Sequence, residues 1–190
     1  RKKGIKSVVV TGGHINEDPL LELLPVVDAV KVDLKAFHQE FYTEYVRGEL
    51  APVKKAIEII AKSPVWLEIV YLVIPTLNDH PEKIREMSRW ILSSVGPDVP
   101  LHYSRFQPMY LLKNLPPTPV STLEKLRDIS LEEGLHYVYV GNVPGHTAES
   151  TICPRCKNII IKRTGYKIQE VNINKGKCRF CGNKIPGVWT

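Results

Sequence analysis

Val65-Trp-Leu-Glu-Ile-Val-Tyr-Leu-Val-Ile74 is the longest strand-like run in the chain, apolar apart from Glu68. Its β-branched and aromatic residues predict a strand. Pro75 to Asp79 supplies a turn, and His80-Pro81 opens a helix that runs to about Ser94. This strand–turn–helix step recurs in both directions. Upstream, Ala29 to Leu34 predicts a strand, followed by helical patterns around 40–46 and 52–62. Before that, Ser7 to Thr11 predicts a buried strand, ended by Gly12-Gly13 and followed by a short helix that Asp18-Pro19 opens. Downstream come a strand from Leu101 to Phe106, a Pro-rich loop over 107–119 and a helix over 121–133 that Gly134 stops. A fifth strand from His136 to Val140 follows. Strands alternating with helices predict parallel pairing through right-handed crossovers. A closed eight-stranded barrel needs ~250 residues, and the body of this chain spans only residues 1–145. An open α/β sheet or part of a barrel therefore fits.

Of the 190 residues, 43% are apolar and 24% charged, a globular balance that excludes a disordered or fibrous chain. No apolar run reaches the ~20 residues of a membrane span. The start, Arg1-Lys2-Lys3-Gly4, is basic but is followed by no apolar targeting segment, so a cytoplasmic location is expected. The formal charge of +6 is unevenly divided. Residues 151–190 hold nine Lys/Arg against the single acid Glu170, a net of +8, whereas the first 150 hold 17 bases and 19 acids, a net of −2. Such asymmetry predicts two units, 1–145 and 146–190, hinged at Val143 to Thr147. Only the second invites an acidic partner.

All four cysteines lie in that second unit, as Cys153-Pro-Arg-Cys156 and Cys178-Arg-Phe-Cys181. A two-residue gap lets both thiolates of a knuckle reach one ion, and two knuckles complete a tetrahedron. Ile159 to Ile161 and Tyr166 to Ile168 predict strands between them, turned at Thr164-Gly165. The pattern predicts a zinc ribbon. Iron in the same four ligands is the chemical alternative. A closed site of this kind folds a segment too small to build a core of its own. As a docking unit it could take an acidic protein or nucleic acid, although aromatic interleaving is sparse and nucleic acid is not the expected partner.

Along 29–34, Lys31 and Asp33, and then Lys35, fall on one face, with Val30, Val32 and Leu34 on the other. Ionisable residues at the C-terminal end of a parallel strand sit where α/β sheets take ligands, so Asp33 and Lys35 are site candidates; an ordinary strand-end ion pair is the bland alternative. Glu68 is costly inside its strand unless paired, and Lys31, Arg105 and His102 are the candidate partners. With Asp33 and His102 it could also serve generic acid–base chemistry. Thr11-Gly12-Gly13 follows a strand and precedes a helix, so its backbone N–H groups could face a carboxylate or phosphate.

Thr11-Gly-Gly-His-Ile-Asn-Glu-Asp-Pro-Leu20, Val32-Asp-Leu-Lys-Ala-Phe37, Leu72-Val-Ile-Pro-Thr-Leu-Asn-Asp79 and His102-Tyr-Ser-Arg-Phe-Gln-Pro108 resemble, in order, the radical S-adenosylmethionine enzymes of the AmmeMemoRadiSam system. Tyr137-Val-Tyr-Val-Gly-Asn-Val-Pro-Gly-His146 and Cys181-Gly-Asn-Lys-Ile-Pro-Gly-Val-Trp189 extend the resemblance to the end of the chain. This family is related to pyruvate formate-lyase activating enzymes. The resemblance implies a partial (β/α) TIM-like barrel of parallel strands with a C-terminal zinc ribbon. It also implies S-adenosylmethionine and a [4Fe–4S] cluster, which cleaves that cofactor reductively to a 5′-deoxyadenosyl radical. By motif, Asp33 and Lys35 would contact S-adenosylmethionine, with Thr11, Gly12 and Gly13 lining the same site. The chain departs from the family at four points. The cluster motif C-x₃-C-x₂-C and the Gly-Gly-Glu stretch are absent, the family's Thr-Asn-Gly is Thr11-Gly12-Gly13, and Val70 stands where relatives often carry Arg. The expectation is a C-terminal enzyme portion, inactive alone, whose partner is the remaining N-terminal half or a protein substrate. The other expectation is a non-catalytic ribbon module.

Overall fold

The computed structural model describes residues 4–189, so the basic Arg1-Lys2-Lys3 start lies outside the described residues. Strands β1 (Val8–Thr11), β2 (Ala29–Asp33), β3 (Trp66–Val73), β4 (Leu101–Arg105) and β5 (Val138–Gly141) form one parallel sheet in chain order. The α/β fold class expected from the alternation is the one observed, an open, partial barrel. Between the strands run α1 (Glu17–Leu23), α2 (Gln39–Phe41, continuing as a π-helical turn over Tyr42–Val46), α3 (Leu50–Ala61), α4 (Pro81–Ser94) and α5 (Val120–Glu132).

Period-two alternation decides which face of the sheet the helices cover. Val30 and Val32, Leu67, Ile69, Tyr71 and Val73, Leu101 and Tyr103, and Val138 and Val140 are all buried. They pack with Val53, Ile57, Ile60, Ile84, Met87, Ile91, Leu123 and Leu126 from α3, α4 and α5 in one core. Polar groups inside this core are paired: Tyr103 Oη lies 2.7 Å from Ser130 Oγ, which lies 2.9 Å from Ser88 Oγ, joining β4, α5 and α4.

One expectation fails here. Ser7 to Thr11 is not a buried strand: β1 stands at the edge of the sheet, and Val8 and Val10 are 63% and 61% exposed. Three consecutive valines make both faces of the strand apolar, but burial requires a neighbour. Among the described residues β1 pairs only with β2.

After β5, His146 caps a short 3₁₀ turn (Thr147–Glu149), its ring accepting from the Ala148 N–H and touching Glu124 of α5 at 3.0 Å. The ribbon follows. β6 (Thr151–Ile152), β7 (Ile159–Thr164) and β8 (Lys167–Val171) form an antiparallel sheet, and β9 (Ile173–Asn174) pairs with β10 (Lys177–Cys178). The β7–β8 turn falls one residue later than expected, at Gly165-Tyr166, where Gly165 takes φ +56°.

The ribbon lies against the helix-free face of the large sheet. Tyr137, just before β5, shares a core with Cys153, Ile160, Cys178 and Ile185. Above that contact runs a polar chain. Trp66 Nε1 donates to Glu68 Oε1 at 3.0 Å, and Glu68 Oε2 meets His102 Nε2 at 3.0 Å. His102 stacks on Tyr139 with ring centroids 4.8 Å apart, and Tyr139 Oη meets Thr151 Oγ1 at 3.2 Å. Arg163 of β7 donates to the same Thr151 oxygen at 2.8 Å.

Candidate functional site

Two sites can be built from these elements, one at the C-terminal end of the large sheet and one in the ribbon.

At the first, Asp33 ends β2 and its Oδ2 accepts from Lys35 Nζ at 3.0 Å. The side chains stay 31% and 38% accessible, so the pair can exchange its partner for a ligand. The backbone of Lys35 is fixed on both sides. Its N–H donates to Tyr42 Oη at 3.2 Å, and its carbonyl accepts from Asn78 Nδ2 at 2.8 Å. Asn78 also donates to Leu72 O at 2.8 Å, accepts from Ile74 N–H at 2.6 Å, and offers its own carbonyl to Tyr71 Oη at 2.7 Å. This buried amide laces the ends of β2 and β3 together. Thr118 plays the same part for β3 and β4, accepting from Phe106 N–H at 3.0 Å and donating to Val73 O. Sequence reasoning missed both as positioning residues. Asn78 lies within a turn and Thr118 within a Pro-rich loop, and neither signal distinguishes a scaffold side chain from turn chemistry.

Thr11 ends the neighbouring strand in register with Val32, and its Oγ1 accepts from Gly13 N–H at 3.1 Å, closing a tight turn. Gly13 has φ +75°, and a Cβ there would sit 2.9 Å from Val32 Cγ1 and 3.1 Å from Val53 Cγ1. Packing of β2 against α3 therefore demands this glycine. At Gly12 a Cβ would meet no atom within 4 Å, so that residue faces open space.

Of the candidate partners for Glu68, the structure selects His102. Lys31 stands beside Glu68 in register, while Arg105 donates instead to Thr118 O at 2.8 Å. Burial opposes ionisation of Glu68 most strongly. Hydrogen bonds from His102 and Trp66, with the positive fields of His102 and Arg163, outweigh it and hold the carboxyl below its ordinary value. The groups are mutually satisfied, an arrangement that joins ribbon to sheet. Beside them opens a cleft of about 1140 Å³, walled by Val8, Trp66 and Glu68 on one side and Arg163, Tyr166 and Trp189 on the other.

In the ribbon, the sulfur atoms of Cys153, Cys156, Cys178 and Cys181 lie within 4.8 Å of one another. The Cys153–Cys181 and Cys156–Cys178 pairs are each 3.7 Å apart. Metal–sulfur bonds of 2.3 Å in a tetrahedron place sulfur atoms about 3.8 Å apart, so the geometry fits a single ion. The knuckles are built alike. Cys153 N–H donates to Asn158 O and Cys178 N–H to Asn183 O, both at 2.9 Å. Lys157 N–H then donates to Cys153 O and Gly182 N–H to Cys178 O, closing each turn. The residue after each second cysteine is left-handed, Lys157 at φ +60° and Gly182 at φ +73°. Side-chain and backbone hydrogen bonds from Asn158 draw the Cys156 thiol down to about 6. At Cys181 the Asn183 backbone pulls the same way, but burial and the neighbouring thiols prevail and hold it up at about 12. Thiolates crowded in this way call for a cation.

No helix among the described residues is long and apolar enough to cross a membrane.

No protein-family model matches the chain. It is 38% identical over 187 residues to an uncharacterised protein, MJ0808, of Methanocaldococcus jannaschii. The match takes in 97% of this chain and 55% of the relative, so the chain spans about half the length of the curated relative it matches. Among solved structures it is similar to a domain of pyruvate-formate lyase-activating enzyme from Bacteroides vulgatus, with a TM-score of 0.65 at 13% identity, over 74% of this chain and 84% of that one. It is also similar to Streptococcus suis SuiB bound to S-adenosylmethionine, with a TM-score of 0.59 at 12% identity, over 79% and 36%. A radical SAM methyltransferase from Sphaerobacter thermophilus matches with a TM-score of 0.50 at 14% identity, over 70% and 39%. The chain thus has the fold of radical SAM enzymes.

Proposed function

We propose that this chain is the cofactor-binding C-terminal portion of a radical SAM enzyme of the AmmeMemoRadiSam type, and that its four cysteines hold zinc. The observation that carries the reading is the Asp33–Lys35 pair, held by Tyr42 and Asn78 at the C-terminal end of a strand in a radical-SAM-like sheet. S-adenosylmethionine presents a carboxylate, an ammonium and ribose hydroxyls. Asp33 would accept from the ammonium or the hydroxyls, Lys35 would meet the carboxylate, and the open backbone at Gly12 would let the ligand approach Thr11 closely. When bound to a reduced cluster, that cofactor supplies a 5′-deoxyadenosyl radical.

The chain does not fit a cluster site of its own. All its cysteines stand in the two knuckles, and their 3.7 Å spacing suits one ion. Cluster ligands would come from polypeptide outside this sequence, so the isolated chain is inactive. Zinc suits the ribbon because a closed four-sulfur tetrahedron needs neither redox chemistry nor an open coordination position.

Calorimetry with S-adenosylmethionine tests the reading. Binding by the chain, weakened at least tenfold by Asp33→Asn and by Lys35→Ala, supports it. No heat at millimolar cofactor, or equal affinity in both variants, overturns it. Cofactor cleavage after treatment of the isolated chain with iron and sulfide would refute the claim that the cluster ligands lie elsewhere.

A further inference from the structure

The ribbon gathers positive charge at its four cysteines. Arg155, Lys157, Lys175, Lys177, Arg179 and Lys184 each lie within three residues of a ligand cysteine. The four sulfur atoms converge within 4.8 Å, so the fold draws these six bases around one end of the ribbon. All six side chains belong to exposed residues, and among the described residues none forms an ion pair. Lys177 and Lys184 stand directly opposite each other across an antiparallel bridge, a like-charge pairing that costs stability unless an anion lies between them. The only acid of the segment, Glu170, sits in β8, where it accepts from Asn172 at 2.9 Å, and among the described residues it forms an ion pair with none of the six. A metal bound by four thiolates offsets only about two of these charges.

From this geometry we infer that the knuckle end of the ribbon binds single-stranded nucleic acid through its phosphates, without reading its sequence. Charge complementarity alone would also admit an acidic protein. A protein interface, however, needs a buried apolar centre, and among the described residues the large apolar side chains exposed near the knuckles are scattered: Phe180 at 54%, Trp189 at 39% beside Gly176, and Ile159 at 39%. Exposed rings interspersed with basic residues, Phe180 next to Arg179 and Trp189 beside the Lys175–Lys177 turn, suit bases stacked between phosphate contacts. Tyr166, fully exposed at the β7–β8 turn, offers a third ring further along the ribbon. Phosphate binding releases counterions, so its strength is carried by the number of cations and not by buried area. The inference does not depend on cofactor binding by the large sheet.

Fluorescence anisotropy of the zinc-loaded full chain with a labelled RNA or DNA strand of about 20 nucleotides tests it. Four to six phosphate contacts give a slope of log affinity against log salt of about −3 to −4. Lys177→Ala with Lys184→Ala should flatten that slope by about 1.4 and weaken binding about tenfold at low salt. Phe180→Ala should weaken binding at least about fivefold and leave the slope unchanged. These residues are exposed, and one metal per chain in each variant establishes that the knuckles are intact. A polyglutamate peptide of matched charge that binds as tightly as the nucleic acid would overturn the inference in favour of an acidic protein. So would equal affinity for a duplex, or no binding of either single strand at low salt.

Discussion

Glu68 Oε2 lies 3.0 Å from His102 Nε2, and this contact between adjacent strands carries the stacked ring of Tyr139, through which the large sheet reaches Thr151 and Arg163 of the ribbon. It is a carboxylate in an otherwise apolar strand, kept ionised by its neighbours. It gives the junction a dependence on acidity.

The folded Glu68 carboxyl titrates below its ordinary value, so its stabilising contribution is present above the usual carboxylate range and is lost as pH falls through the depressed value. The side chain is 35% accessible, so solvent screening limits that contribution to about 1 kcal/mol or less. Denaturant titrations of wild type and Glu68→Gln between neutral pH and pH ~3 should converge as the carboxyl protonates. Parallel curves over the whole range would show that the pair stores no such stability.

Replacing Cys153 or Cys178 by serine removes a ligand from a four-thiolate site and leaves the others crowded. Elemental analysis should give about one metal ion per wild-type chain and substoichiometric metal in each variant. Hydrogen exchange should rise across residues 151–189 and remain protected in β2, β3 and β4, whose core is separate from that of the cysteines. Loss of protection throughout would mean that the large sheet cannot stand without the ribbon.

Asn78→Ala deletes three side-chain hydrogen bonds from a residue that is 1% exposed and leaves Lys35 O, Leu72 O and Ile74 N–H without their partner. Buried polar groups orphaned in this way cost about 1–3 kcal/mol each before relaxation, so a loss of about 3 kcal/mol is expected. Chemical denaturation measures it. A loss under about 1 kcal/mol would mean that water replaces the amide.

The two glycines after Thr11 should behave oppositely. Gly13→Ala meets Val32 at 2.9 Å and a left-handed backbone, so about 1–3 kcal/mol of stability should go. Gly12→Ala meets open space and should change stability by less than about 0.5 kcal/mol. Calorimetric melting of both proteins decides this, and equal destabilisation would contradict the packing described.

The order of strands and helices, the parallel pairing and the cysteine knuckles were legible in the amino-acid sequence, because each depends on spacing along a few neighbouring residues. The alternation of Val30, Val32 and Leu34 with Lys31, Asp33 and Lys35 already separated the helix-covered face from the polar one. Tertiary structure alone decided what lies between distant segments. It chose His102, from a strand 34 residues away, over Lys31 and Arg105 as the partner of Glu68. It left β1 at an exposed edge although its three valines are as apolar as any core strand. It set Asn78 beneath Lys35, 43 residues earlier in the chain. It also gathered six scattered ribbon bases around one group of sulfur atoms. Periodicity reports the face a residue occupies, whereas a partner depends on which two faces the folded chain brings within a few ångströms.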